Sequence, residues 1–182
     1  MGWELPTTVE VEDKTFAIRS DYRAVLDAIT ALNDAALPPP LRVAACLQIL
    51  YPAFDRLPDA GEAFRAAMTF INLGQPVPDN QPARPALVHW DTDVQLIAPA
   101  IDKVLGYSCR ACTYLHWWEF VGAFRNIGKG LFAEVVAIRD KRARGKKLDK
   151  SEQAFARENP DLIGTAVQIT SEEEEFFKRL GV

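Results

Sequence analysis

Residues 115–124 of this chain gather two of its four tryptophans, two phenylalanines and one of its two histidines. So much aromatic surface in so few residues has to anchor a core or grip a partner, and either task sets the fold around it. At 3.6 residues per turn, Leu115, Trp118, Val121 and Phe124 fall on one stripe, and Trp117, Phe120 and Phe124 on a second, one position round. A helix apolar over both stripes suits the centre of a bundle. Two roles stay open for it: core scaffold, or core with one tryptophan turned to a binding surface.

The rest of the chain supplies a bundle for such a helix to join. Val9, Val11, Phe16 and Ile18 alternate about a turn at Asp13-Lys14, predicting strands at 8–12 and 15–19. Ser20 or Asp21 then caps a helix carrying Val25, Leu26, Ile29 and Leu32, which ends before Pro38-Pro39-Pro40. The next helix, 40–51, turns Val43, Cys46, Leu47 and Leu50 inward, with its prolines in the first turn where a missing N–H matters least. A third, 60–73, is capped by Asp59, faces inward with Phe64, Met68 and Ile71, and stops at Gly74.

Residues 75–86 hold Pro76, Pro78, Pro82 and Pro85 and read as an extended tether. Beyond it, Asp91 caps a helix with Val94, Leu96, Ile97, Ile101, Val104 and Leu105, interrupted by Pro99. The tryptophan helix is predicted over 113–126, another over 131–144 with Phe132, Val135, Val136 and Arg139 on one side, and a short one over 151–158 burying Ala154 and Phe155. Ser171-x-x-Glu174 followed by Phe176, Phe177 and Leu180 marks a last amphipathic helix.

The predicted fold is mainly α (α+β), a helical bundle with an N-terminal β-hairpin in a single domain, 1–182. Its parts are the hairpin and helices 5–74, the linker 75–86, a helical portion 87–160 and an appendage 161–182. The first part is too short to bury a robust core alone, so the portions on either side of the linker are expected to pack together.

Composition narrows the function. With 182 residues, 48% hydrophobic and 25% charged, the chain resembles an ordinary globular protein. No apolar run is long enough for a membrane span and no secretory signal opens the chain, so the expected location is the bacterial host cytoplasm, with no membrane partner. Three cysteines suit reduced thiols better than a disulfide framework.

Cys109-x2-Cys112-x3-His116 has zinc-knuckle spacing, but a structural zinc wants four ligands, so the metal reading yields to helix-boundary thiols, and no cofactor is expected. His116 suits a buried imidazole bridging backbone groups better than a general base, although Glu119 stands one turn on. With no phosphate loop or catalytic triad in view, no catalytic residue is assigned and no enzyme is expected.

The net charge of −4 conceals a basic stretch over 125–150, including Arg139, Lys141, Arg142, Arg144, Lys146 and Lys147. A solvated helix end, a docking surface for an acidic partner and a nucleic-acid contact all remain open for it. Nucleic acid is the weakest, because no aromatic residue interleaves the charges.

Leu115-His116-Trp117-Trp118-Glu119-Phe120 and Asp91-Thr92-Asp93, with Leu5-Pro6-Thr7-Thr8-Val9-Glu10-Val11 and Arg19-Ser20-Asp21-Tyr22-Arg23, resemble the bacteriophage gene-product-fifteen family over residues 5–160. That family comprises small proteins of long-tailed phages and prophages of Gram-positive bacteria, typically encoded just before the tail tape-measure protein. The resemblance implies a non-catalytic tail-assembly chaperone that binds the tape-measure protein or other tail proteins, with self-association a further possibility. A structural tail component and a nucleic-acid-binding regulator are the alternatives. Candidate contact residues are Trp117, Phe120, Phe176, Phe177, Arg142 and Arg144. The chain departs from the family in lacking a hairpin glycine, in carrying Cys109 and Cys112, and in its segment after Pro160.

Overall fold

Alternating valines at 9 and 11 form an antiparallel hairpin, β1 (Thr8–Val11) with β2 (Lys14–Ala17). Val11 pairs with Lys14, so the two-residue turn is Glu12-Asp13, one position earlier than the predicted turn. Glu12 supplies the positive φ, 53°, that glycine would supply more cheaply. The computed structural model describes residues 3–76 and 87–164. Among them, eight α-helices follow the hairpin, giving a mainly α fold with an N-terminal β-hairpin. None of these helices is long and apolar enough to cross a membrane.

The chain divides into two units, residues 1–84 with 90–130, and residues 85–89 with 131–182. In the first, Asp21 caps α1 (Tyr22–Asn33) by accepting from the Arg23 N–H. That helix packs along α2 (Pro39–Leu50), which starts on two prolines and buries Cys46, Leu47 and Leu50. α3 (Ala60–Ile71) is capped by Asp59, as its sequence predicts. Its buried face, however, is Ala63, Ala67 and Phe70, with Phe64, Met68 and Ile71 only half-buried. The alanines let neighbouring elements approach the helix backbone closely, and Tyr51 reaches in to donate to the Ala63 carbonyl at 2.8 Å.

Further on, α4 (Val94–Leu105) runs through Pro99 and ends at Gly106, whose φ of 77° closes the helix. Its cap position is Asp93, two residues after the predicted Asp91. The tryptophan helix, α5 (Trp117–Arg125), begins four residues later than the predicted 113 because His116 occupies its cap.

In the second unit, α6 (Leu131–Ala143) buries Phe132, Val135, Ile138 and Arg139. Arg139 donates to the Leu162 carbonyl from Nε at 3.1 Å and Nη2 at 2.6 Å, and to the Leu87 carbonyl from Nη1 at 3.0 Å. A buried guanidinium is tolerated here because main-chain oxygens receive it. α7 (Lys150–Glu158) opens with an Asp149/Glu152 capping box and buries Ala156 where the sequence predicts Ala154; Ala154 is exposed and Phe155 half-buried. A short α8 (Pro160–Ile163), unexpected from sequence, packs on α6 and α7. Most of the proline linker and the predicted terminal helix lie outside the described residues.

Candidate functional site

The first unit is built around a latch between Ser20-Asp21-Tyr22 and Leu115-His116-Trp117. Tyr22 N–H donates to the Leu115 carbonyl at 3.0 Å, and Trp117 N–H to the Ser20 carbonyl at 2.7 Å, an isolated antiparallel bridge centred on Asp21 and His116. One carboxylate oxygen of Asp21 caps α1 and the other accepts from Leu115 N–H at 3.1 Å. Arg23 pairs with the same carboxylate and donates to the Cys109 and Cys112 carbonyls, tying the α4–α5 connection to α1.

His116, 1% exposed, caps α5 through its ring. Nδ1 accepts from the Trp118 N–H at 3.0 Å, so Nε2 carries the proton and donates to the Pro6 carbonyl at 2.9 Å. The imidazole is therefore neutral in this arrangement, and it fastens the segment before the hairpin to the tryptophan helix. The bridging of two backbone groups read from the sequence is what the geometry contains.

The two indoles finish a different helix. Trp117 Nε1 donates to the Ile71 carbonyl and Trp118 Nε1 to the Phe70 carbonyl, each at 2.9 Å. Both oxygens belong to the last turn of α3, beyond the reach of the helix's own i+4 donors, and the Phe70 carbonyl also accepts from the Leu73 N–H at 3.1 Å. Gly74, at φ 80°, completes the corner; a Cβ there would meet the Trp118 ring at 3.3 Å.

Trp117, Phe120 and Ala123 are buried, while Trp118, Val121 and Phe124 are half-buried, so the second aromatic stripe is the core-facing one. Leu115 precedes the helix and is itself buried. Phe120 stacks on Tyr22 at 4.3 Å, with the rings 7° from parallel. Trp90, not singled out from the sequence, lies over this layer, 4.9 Å from Phe124, 5.9 Å from Phe120 and 6.5 Å from Trp117. Its one sequence signal is a lone tryptophan directly ahead of Asp91-Thr92-Asp93.

Against Trp90 opens an apolar cleft of about 40 Å³. Tyr22 and Leu26 form one wall, Val94, Ile97 and Ala98 the other, with Phe120 and Cys109 also lining it. Arg110 reaches its rim and donates to Gln95 Oε1 at 3.3 Å. Roughly two or three water-sized groups fill such a space, which suits the tip of one branched aliphatic side chain. Val94 is 38% exposed at the mouth, and Tyr107 and Tyr114 of the α4–α5 connection are about half exposed, at 48% and 51%.

The remaining sequence candidates are scattered. Arg142 and Arg144 are exposed at the end of α6, and Arg144 pairs with Asp140 at 2.8 Å. Phe176 and Phe177 lie outside the described residues. For the thiols, Cys112 Sγ donates to the Cys109 carbonyl at 2.9 Å. Burial, helped by the nearby Asp102 carboxylate, pushes the Cys109 thiol up to about 11. His116 has both ring nitrogens occupied, and among the described residues no three His, Cys, Asp or Glu side chains gather into a metal-sized group.

A hairpin latched to a histidine-capped tryptophan helix defines a mainly α protein whose central polar side chains are engaged in holding backbone together. The chain belongs to the Bacteriophage Gp15 protein family, whose model matches residues 3–160, and is a phage protein. Neither a curated protein nor a solved structure matches it. The latch joins two of the stretches on which the resemblance rests, Arg19-Ser20-Asp21-Tyr22-Arg23 and Leu115-His116-Trp117-Trp118-Glu119-Phe120.

Proposed function

We propose that this phage protein is a non-catalytic tail-assembly chaperone that holds amphipathic helices of the tape-measure protein until tail subunits enclose them. The observation that supports this reading is the cleft beside Trp90: apolar, open, and set on a framework in which Asp21, His116 and both indoles are already committed to backbone. A preorganised apolar recess accepts a side chain from a partner helix without ordering itself first. Long amphipathic helices aggregate through such side chains when nothing covers them.

Phe120 takes part as a buried lining residue and Trp117 as packing beneath Trp90, so the contact passes to Trp90, Val94 and the cleft mouth.

Co-expression with the tape-measure-type protein encoded beside the gene tests this, read by size exclusion with light scattering. A soluble joint complex is the expected result, and Val94→Glu is expected to abolish it while leaving thermal unfolding within about 0.5 kcal/mol of the parent. A partner that precipitates while this chain elutes alone overturns the reading. Recovery of the chain from purified particles favours a structural tail component instead.

A further inference from the structure

Ahead of the hairpin, two apolar side chains of the first unit face water, Trp3 at 103% exposure and Leu5 at 38%. The backbone that follows them is fixed at two points. His116 Nε2 donates to the Pro6 carbonyl at 2.9 Å, and the Ile18 N–H donates to the Thr7 carbonyl at 2.9 Å. Pro6 biases Leu5 towards an extended backbone, and three extended residues reach about 10 Å from that anchor, the width of a helix. Residues 3–5 therefore form a short apolar arm on a firm base, and none of them lines the cleft of its own chain.

The cleft beside Trp90 suits such an arm. Its space of about 40 Å³ takes a branched aliphatic tip and excludes an indole. Leu5 is thus the residue that enters, and Trp3, two positions away, is left to cover the half-buried Trp90 and the exposed Val94 at the mouth. The charges agree. Glu4 lies between the two apolar residues, Arg110 stands exposed at the rim, and neither has an ion pair among the described residues. A rim pair of this kind sets register more than strength. Every chain carries both an arm and a cleft, so the match is self-complementary, and an exchange about a two-fold axis satisfies both copies at once. At about 200 Å² for each Trp, two arms and the two surfaces they cover bury on the order of 1,000 Å², the lower bound for a specific interface.

We propose that two copies of this chain exchange arms, Leu5 of each seated in the Trp90 cleft of the other with Glu4 against Arg110, covering in both the apolar surface that a partner helix would otherwise find open. The inference rests on the reading of the cleft as a docking site, but it needs only this chain.

Size exclusion of the full chain with light scattering, across about 1–100 µM, tests the exchange. The molar mass is expected to climb from one chain towards two over this range. Leu5→Lys puts a cation on the arm, and Val94→Glu puts a carboxylate at the cleft mouth. Both positions are exposed, so each variant should keep the parent's thermal unfolding and elute as a monomer even at about 100 µM. Mixed in equal amounts, the two should recover the dimer, because one arm–cleft contact is then native and the other brings the introduced ammonium to the introduced carboxylate. A parent that stays monomeric throughout overturns the proposal, and a dimer that survives either substitution overturns it by placing the contact elsewhere. A mixture that remains monomeric overturns it too, since arm and cleft then do not meet. Any of these failures leaves the tape-measure complex to its own co-expression test, and failure of that complex leaves the dimer standing.

Discussion

His116 makes two backbone contacts of different reach, and substitution separates them. Asn is a good helix cap but too short to span to Pro6, so His116→Asn should keep α5 capped while freeing the segment before β1. His116→Ala loses both contacts and is expected to cost roughly 2–4 kcal/mol by urea unfolding, with the Asn variant recovering about 1 kcal/mol of that. Equal losses in the two variants would show that the cap contributes nothing. Gly74 offers a second single-residue test. Gly74→Ala brings a methyl to 3.3 Å from the Trp118 ring at a φ of 80°, so a loss of about 1–2 kcal/mol is expected in the same assay.

Among the elements, the helices are legible in the sequence where local chemistry decides them. Asp59 caps α3 and prolines open α2 through local preferences that need no tertiary partner. What periodicity misses is set by tertiary contact. The inner face of α3 is one position away from its larger side chains because its neighbours need the room left by Ala63 and Ala67. The start of α5 is set by a bridge to Asp21, far off in sequence. Trp90 stands alone ahead of Asp91-Thr92-Asp93 with no periodicity around it, so although Leu26, Val94 and Ile97 are legible as apolar, the cleft they form with it is not. Burial of α2 also has a titratable signature: Cys46 is pushed up to about 11 by desolvation alone. A thiol that holds its proton more tightly when folded stabilises the fold fully below its ordinary value of 9.0 and loses that contribution as pH rises towards about 11. The melting temperature is therefore expected to fall across this window, and Cys46→Ala, though less stable throughout, should show a shallower fall; an unchanged slope would exclude Cys46 as the source. At neutral pH the same burial predicts that Cys46 and Cys109 resist alkylation in the native protein and react on unfolding, as counted by mass spectrometry.

On the scale of the whole molecule, the two units carry different surfaces: an apolar cleft in the first and a basic helix end in the second. Binding through the cleft is expected to be insensitive to salt, whereas any binding through the basic end weakens steeply as salt rises. Titrating the co-expressed complex with salt separates the two, and dissociation below about 0.5 M would move the contact from the cleft to the charged surface. The bridge between Asp21 and His116 also bears on synthesis. Its partners lie far apart along the polypeptide, so the hairpin and α1 leave the ribosome well before the strand-like segment that completes them. Loop closure of this length is slow compared with helix formation. The hairpin and early helices thus wait through the emergence of the linker and α4, and the tryptophan segment is the last part of the first unit's core to arrive, turning translation of residues 115–120 into the step that commits the nascent chain to its fold.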